Sequence, residues 1–444
     1  MRKRIVLMMA IGCAMAVQAQ KAPVIETSAK EEIMANRFLA GSNYLDYDRQ
    51  LPTKALTPTP KGYEPYYMSH YGRHGSRWLI SDGNYSRPIT TLETAKEMGK
   101  LTAKGEEVLE TLKAIYKTST KRLGDLTTVG ERQHHGIGKR MTQNFPEIFK
   151  KKDVMIDARS TVVTRCILSM IAECEELAAA NPTARIHNDV SESLQYYLNQ
   201  PWEGVVKEMG RNTGDKEDRD YSIKWTHPER LMKVLFNDQE FVYNNISAGA
   251  LMRQLFHVAC NMQSHDTDLE LFSLFTDEEI YDQWRQKNIG WYLDYGPSPV
   301  SGGKMPFSQL NLLKNIIETA DTVTKTQATL RFGHEVCVMP LACLLELDNC
   351  GMAVDNLDEL DKYWRNYRIF PMGCNIQLIF YRPLPFKPKG KGKGLPKPGP
   401  VLVKALLNER EAYLPIETNQ WPYYDWQQLR EYYLKKIEDF SNIR

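Results

Sequence analysis

One short apolar and aromatic run, Pro65-Tyr66-Tyr67-Met68-Ser69-His70-Tyr71, stands between polar segments and reads as a buried strand. Downstream the period changes. Residues 92–118 carry Glu, Lys, Leu and Ala at helical spacing. Thr127-Thr128 ahead of Gly130-Glu131 marks a helix start, and the pattern holds to Phe145. Val154-Met155-Ile156-Asp157-Ala158 predicts a second strand, followed by a helix from Thr161 to Ala180. Thr329-Leu330-Arg331-Phe332 predicts a third, leading through Gly333-His334-Glu335 into a helix from Val336 to Leu347. Near the end, Ile376 to Tyr381 and Val401 to Leu407 predict a hairpin. The Lys-, Gly- and Pro-rich segment Lys387 to Pro400 between them reads as a solvated turn.

This alternation predicts an α/β core, an open and mostly parallel sheet flanked by helices, built from residues 20–185 and 326–444. Residues 21–60 read as a lead-in wrapping that core. Residues 186–325 are rich in Trp, Asp and Met, mostly helical, and show no clear strand; they are expected to form an inserted α-helical cap. In open α/β sheets ligands collect beside the carboxyl ends of strands, where helix N-termini favour anions. Arg73–Arg77, Arg159–Arg165 and His334–Glu335 all fall at such ends, so they are expected to converge.

The chain has 444 residues, enough for two lobes. A net charge of +2 argues against a nucleic-acid binder held by a broad basic field. Positive potential must be local, which suits an anionic small molecule. Met1-Arg2-Lys3-Arg4, a short apolar core and Val17-Gln18-Ala19 read as an export signal over residues 1–19. The protein is therefore expected to be periplasmic or secreted. The apolar run is too short to span a bilayer. Cys13 offers a lipid-anchor position, but Ala10-Ile11-Gly12 fits that motif poorly. Seven of the eight cysteines follow the signal, and Cys166, Cys260, Cys337 and Cys343 sit in apolar runs as small buried hydrophobes. Their spacing does not resemble a zinc site. A monomer is expected.

The chemistry concentrates in Arg73-His74-Gly75-Ser76-Arg77. Arginine forks hold phosphate oxygens and offset their charge. A histidine between two permanent cations is kept neutral and nucleophilic. Glycine permits close backbone approach. Other polar candidates read more plainly. Arg159 suits a structural ion pair, His70 a packed strand position, and Asp266 and Asp268 a solvated surface. His134 and His135 are adjacent on a helix and point apart, which disfavours a metal site. Lys207, Arg211 and Lys224 are candidates to line a cleft entrance. Asn84-Tyr85-Ser86 and Asn245-Ile246-Ser247 match the glycosylation sequon, a tripeptide common by chance.

The pentapeptide resembles the signature of the histidine phosphatases, a superfamily with a phosphoglycerate-mutase-like core. Leu126 to Gln133, Ala158 to Arg165, Gly333-His334-Glu335, Asn375 to Leu378 and Leu407 to Arg410 resemble the acid phosphatase and phytase branch, in the same order over the mature chain. Glu335 stands where most of that branch carries Asp. In this it is similar to the multiple inositol polyphosphate phosphatases, which usually have an alanine between the histidine and the glutamate. The resemblance implies a covalent phosphohistidine on His74. It implies phosphoryl binding by Arg73, Arg77, Arg165 and His334, and proton donation by Glu335, with neither metal nor cofactor. The implied substrate is an inositol polyphosphate of the phytate type. The alternatives are a broad acid phosphatase acting on sugar phosphates or nucleotides, and a non-catalytic phospholigand-binding protein.

Overall fold

The β1 strand, Tyr63–Arg73, lies at the centre of the sheet because its two faces are both apolar enough to be covered. The computed structural model describes residues 25–51, 54–385 and 399–443. The expected leader, Cys13 and nearly all of the Lys387–Pro400 turn lie outside them. The other strands are β2 (Met155–Ser160), β3 (Arg185–Asp189), β4 (Thr326–Gly333), β5 (Asn375–Pro383), β6 (Leu402–Leu407), β7 (Arg410–Ala412) and β8 (Tyr424–Asp425). The sheet order is β3-β2-β4-β1-β5-β6-β7, with β8 also on β6. β3, β2, β4 and β1 run parallel, and β5 and β6 close that side antiparallel.

Alternation along β1 divides the two cores. Tyr67 and Tyr71 face a cluster with Leu378, Phe380 and Val403, covered by the Leu310–Thr322, Glu335–Leu344 and Trp426–Ile443 helices. Met68 faces Ala158, Leu330 and Ile379, covered by the Thr128–Asn144 and Thr164–Ala180 helices. The result is a three-layer α/β/α core, as the alternation predicted.

One expectation needs correction and two are refined. Residues 185–189 form β3, an edge strand paired with β2, inside the segment expected to lack strands. Its pattern is mostly polar because only one neighbour covers it. The helical spacing over 92–118 belongs to two helices, Gly83–Glu97 and Ala103–Thr118, separated where Gly99 takes a φ of +67°. A glycine in the left-handed region just past a helix end is an ordinary stop. The helical residues after 186 also do not pack alone. Leu231 to Trp284 share one apolar cluster with Ile33 to Leu45 and with Leu92 to Ile115.

The lead-in is held by charge as well as by packing. The Ala29–Ala35 helix begins with a capping box between Ser28 and Glu31. Glu32 accepts from Arg365 (2.9 Å), Tyr367 (2.6 Å) and Arg368. Burial raises the Glu32 pKa, and the two arginines with Tyr367 more than reverse it. The Arg37–Tyr44 segment that follows kinks at Ser42, at φ 58° and ψ −122°. The Ser42 hydroxyl there accepts from Asn366 at 2.8 Å.

Glu32→Ala leaves the fully buried Arg365 without its carboxylate and is expected to destabilise the protein by about 3 kcal/mol. Urea unfolding checks this; an unchanged midpoint would show that the arginines find water or another partner.

Candidate active site

His74 emerges where β1 ends, fixed by its main chain between two neighbours. Its N–H donates to the Gly333 carbonyl (3.0 Å), its own carbonyl accepts from Gly373 N–H (3.0 Å), and Arg73 N–H donates to the Cys374 carbonyl (2.8 Å). Gly75 N–H donates to Ser169 Oγ (3.0 Å) and Ser76 N–H to Gln133 Oε1 (2.9 Å). A Cβ on Gly75 would stand 2.3 Å from the Gly130 carbonyl oxygen, and one on Gly130 2.3 Å from that of Ser76. The loop and the start of the 128–144 helix therefore touch backbone to backbone, which only glycine permits.

The imidazole tautomer follows from one contact. His74 Nδ1 lies 2.8 Å from the Gly75 carbonyl, which can only accept, so Nδ1 carries the proton and Nε2 keeps its lone pair. Nε2 is buried without a hydrogen-bond partner. Burial first, then Arg73, Arg165, Arg77 and His334, hold the His74 pKa well below the ordinary histidine value.

Three guanidiniums surround it. Arg73 is fully buried, its Nη1 donating to the carbonyls of Asn43 (2.6 Å) and Phe370 (3.2 Å). Arg77 donates to the Trp78 carbonyl (3.0 Å) and lies over the Tyr44 ring at 5.4 Å. Arg165 reaches the Gly124 carbonyl at 3.4 Å. Arg73 Nη2, Arg77 Nε and Arg165 Nε are buried nitrogens without a hydrogen-bond partner.

The late pair arrives from β4. Register sets Arg73 opposite Gly333, so His334 and Glu335 come up beside His74. The two imidazoles meet edge to face with centroids 5.5 Å apart. His334 takes the N-cap position of the Glu335–Leu344 helix, and its pKa is lowered to about 4 by burial; Glu335 raises it, and Arg165, Arg73 and Arg77 add to the lowering. The Glu335 carboxylate lies 3.0 Å from Arg73 Nε, 3.8 Å from His74 Nε2 and 4.0 Å from Arg77 Nη2. Burial alone would raise its pKa; Arg73, Arg77 and His334 bring it down to about 2. His74, His334 and Glu335 offer donor atoms within 4.8 Å of one another, the spacing of a metal site. With three fixed cations around it, this cluster favours an anion over a cation.

The six expected residues thus meet at one place. Others do not join them. Arg159 pairs with Asp157 and donates to the Tyr197 hydroxyl (2.9 Å), the structural role expected of it. His134 bridges Glu173 (3.0 Å) and the Arg73 carbonyl (3.1 Å), whereas His135 turns to Glu176 (3.1 Å). Asp266 is exposed but bound by Arg132 at 2.7 Å. Lys207 and Lys224 are spent on Glu203 and Asp358, at 2.8 and 2.5 Å. Arg211 lies over Tyr295 at 4.9 Å. Asn43 and Tyr44 went unpredicted: Asn43 Nδ2 donates to Glu335 Oε1 at 3.5 Å, and Tyr44 underlies Arg77. They sit in the lead-in, where no motif marks them.

No family model and no curated protein matches this chain. Solved structures do. A multiple inositol polyphosphate phosphatase of Bifidobacterium longum, in complex with inositol hexasulfate, has a TM-score of 0.70 at 18% identity, over 90% of this chain and 97% of its own. The phytase of D. castellii gives 0.63 at 14%, over 90% and 85%. Hafnia alvei phytase with myo-inositol hexakis sulphate gives 0.53 at 10%, over 85% and 98%. The chain has the histidine acid phosphatase fold that these enzymes share.

Gly75→Ala is expected to cost about 1–3 kcal/mol, because the Gly130 backbone must move. It should also weaken phosphate binding; unchanged stability and affinity would mean that the loop yields freely. His334 carries a folded pKa near 4 against 6.5 unfolded, so its contribution to stability is complete above the higher value and is lost as pH falls toward 4. Its ring should stay neutral at pH 5.5 by NMR; a titration near 6.5 would contradict the burial described.

Proposed function

We propose that this chain is an exported phosphomonoesterase that hydrolyses inositol polyphosphates through a phosphohistidine at His74. The observation that carries this reading is the bare His74 Nε2 lone pair among three guanidiniums with unpartnered donors. Fold likeness to enzymes crystallised with inositol hexasulfate supports the substrate class. The basic and apolar leader at residues 1–19 supports export.

In the first step His74 Nε2 attacks phosphorus and the P–O bond to the alcohol breaks. Arg73, Arg77, Arg165 and neutral His334 hold the phosphoryl oxygens as charge shifts onto them. Glu335 gives its proton to the departing alkoxide. With its pKa lowered to about 2, the carboxyl is ionised before substrate binds and has no proton to give. A bound phosphoryl group offsets the guanidiniums and adds like charge, so it raises that pKa and lets Glu335 hold a proton. In the second step water attacks the phosphohistidine, Glu335 takes its proton, the N–P bond breaks, and inorganic phosphate leaves. The arginines supply the charge that a divalent ion supplies in other phosphoryl transfer.

Phosphate release from phytate and from p-nitrophenyl phosphate tests this. The expected result is a higher kcat/KM on phytate, a loss of at least about 10³-fold in His74→Ala, and no change with EDTA. Equal or faster turnover of the small ester would make this a broad acid phosphatase. No turnover of either, with phosphate binding kept, would leave a phospholigand-binding protein.

A further inference from the structure

One side of the site is walled by the Asp277–Tyr295 helix. Lys287, Trp291 and Tyr295 recur every four residues and so share a face of it. That face adjoins the frame of the site: Trp291 packs on the Phe370 ring, and the Phe370 carbonyl accepts from Arg73. Tyr295 is close enough to Glu335 for the carboxylate to add to burial in raising the phenol pKa. Lys287 lies 5.8 Å from the ring of Tyr44, whose ring also carries Arg77.

Among the described residues no carboxylate stands within ion-pair distance of Lys287. Its nearest polar partner is Cys260 Sγ at 3.8 Å, a weak acceptor, and its other neighbours are the Tyr44 and Phe256 rings. Lys207 and Lys224, by contrast, are each paired with an acid. Beside Lys287, His257 packs on Tyr44 with centroids 5.3 Å apart, and its Nε2 is buried without a partner. The aromatic faces stabilise the half-buried ammonium without neutralising it, so its full charge stays available to an anion. Lys287 and Arg77 both lie near the Tyr44 ring centre, at 5.8 and 5.4 Å, so the two cations suit two anionic groups of one ligand.

We propose that Lys287, with His257 beside it, forms a second phosphate subsite that selects substrates bearing a further phosphate near the scissile one. This rests on the phosphatase reading above. Losing one charge-assisted contact predicts a KM for phytate raised about ten-fold or more in Lys287→Gln. Turnover number should change little, and kcat/KM on p-nitrophenyl phosphate should fall less than about two-fold. Lys287→Arg should restore most of the phytate KM. Inositol hexasulfate should inhibit the Gln variant more weakly, while inhibition by inorganic phosphate stays as in the parent. A parent that prefers phytate and a Gln variant that keeps the full preference would overturn the subsite alone. Parallel losses on both substrates, with a lowered Tm, would overturn it as well, by making Lys287 a packing residue. A parent without activity on phytate would overturn both readings together.

Discussion

Like charges held close together are the constraint on which this architecture turns. Two unit cations 4 Å apart repel by about 4 kcal/mol at an effective dielectric of 20. Here Arg73, Arg77 and Arg165 crowd one imidazole, with Glu335 as the carboxylate among them. The frame answers by fixing each guanidinium through main-chain carbonyls, which hold it without cancelling its charge. With one carboxylate against three guanidiniums, the cluster keeps a net positive field for an incoming anion. The same field, with burial, keeps the imidazole unprotonated, so the attraction for an anion and the free Nε2 lone pair have a common origin.

Support for this cluster comes from three layers of the fold. The parallel strands deliver Arg73 and His334 in register. The two helices behind the sheet hold the loop through Gln133, His134 and Ser169. The lead-in closes over the front, with Asn43 touching both Arg73 and Glu335. The strained backbone at Ser42 adjoins this contact, and strain of that kind persists where surroundings over-determine it.

Much of this was legible in the sequence, because strand ends carry their chemistry in consecutive residues. Arg73 to Arg77 and His334-Glu335 needed only local pattern. The Gly130 role was half legible: the helix start was plain, yet its contact with Gly75 depends on two segments meeting in space. Asn43 and Tyr44 were not legible, since they act through a main-chain carbonyl and a ring face, which leave no spacing to read. β3 escaped because an edge strand needs little apolar content. The break at Gly99 was visible as a glycine, but helical periodicity continued on both sides and masked it.

The pairing of β1 with β4 has a consequence for how the molecule comes into being. β1 belongs to the first part of the chain, and its parallel partner follows only after the long helical segment. Non-local pairings of this kind are slow to form, because the loop between them must close first. A growing chain that has already made His74 still lacks His334, Glu335 and the strand that aligns them. The charge cluster therefore assembles only after β4 has been made, and a product that stops before it holds only part of the centre.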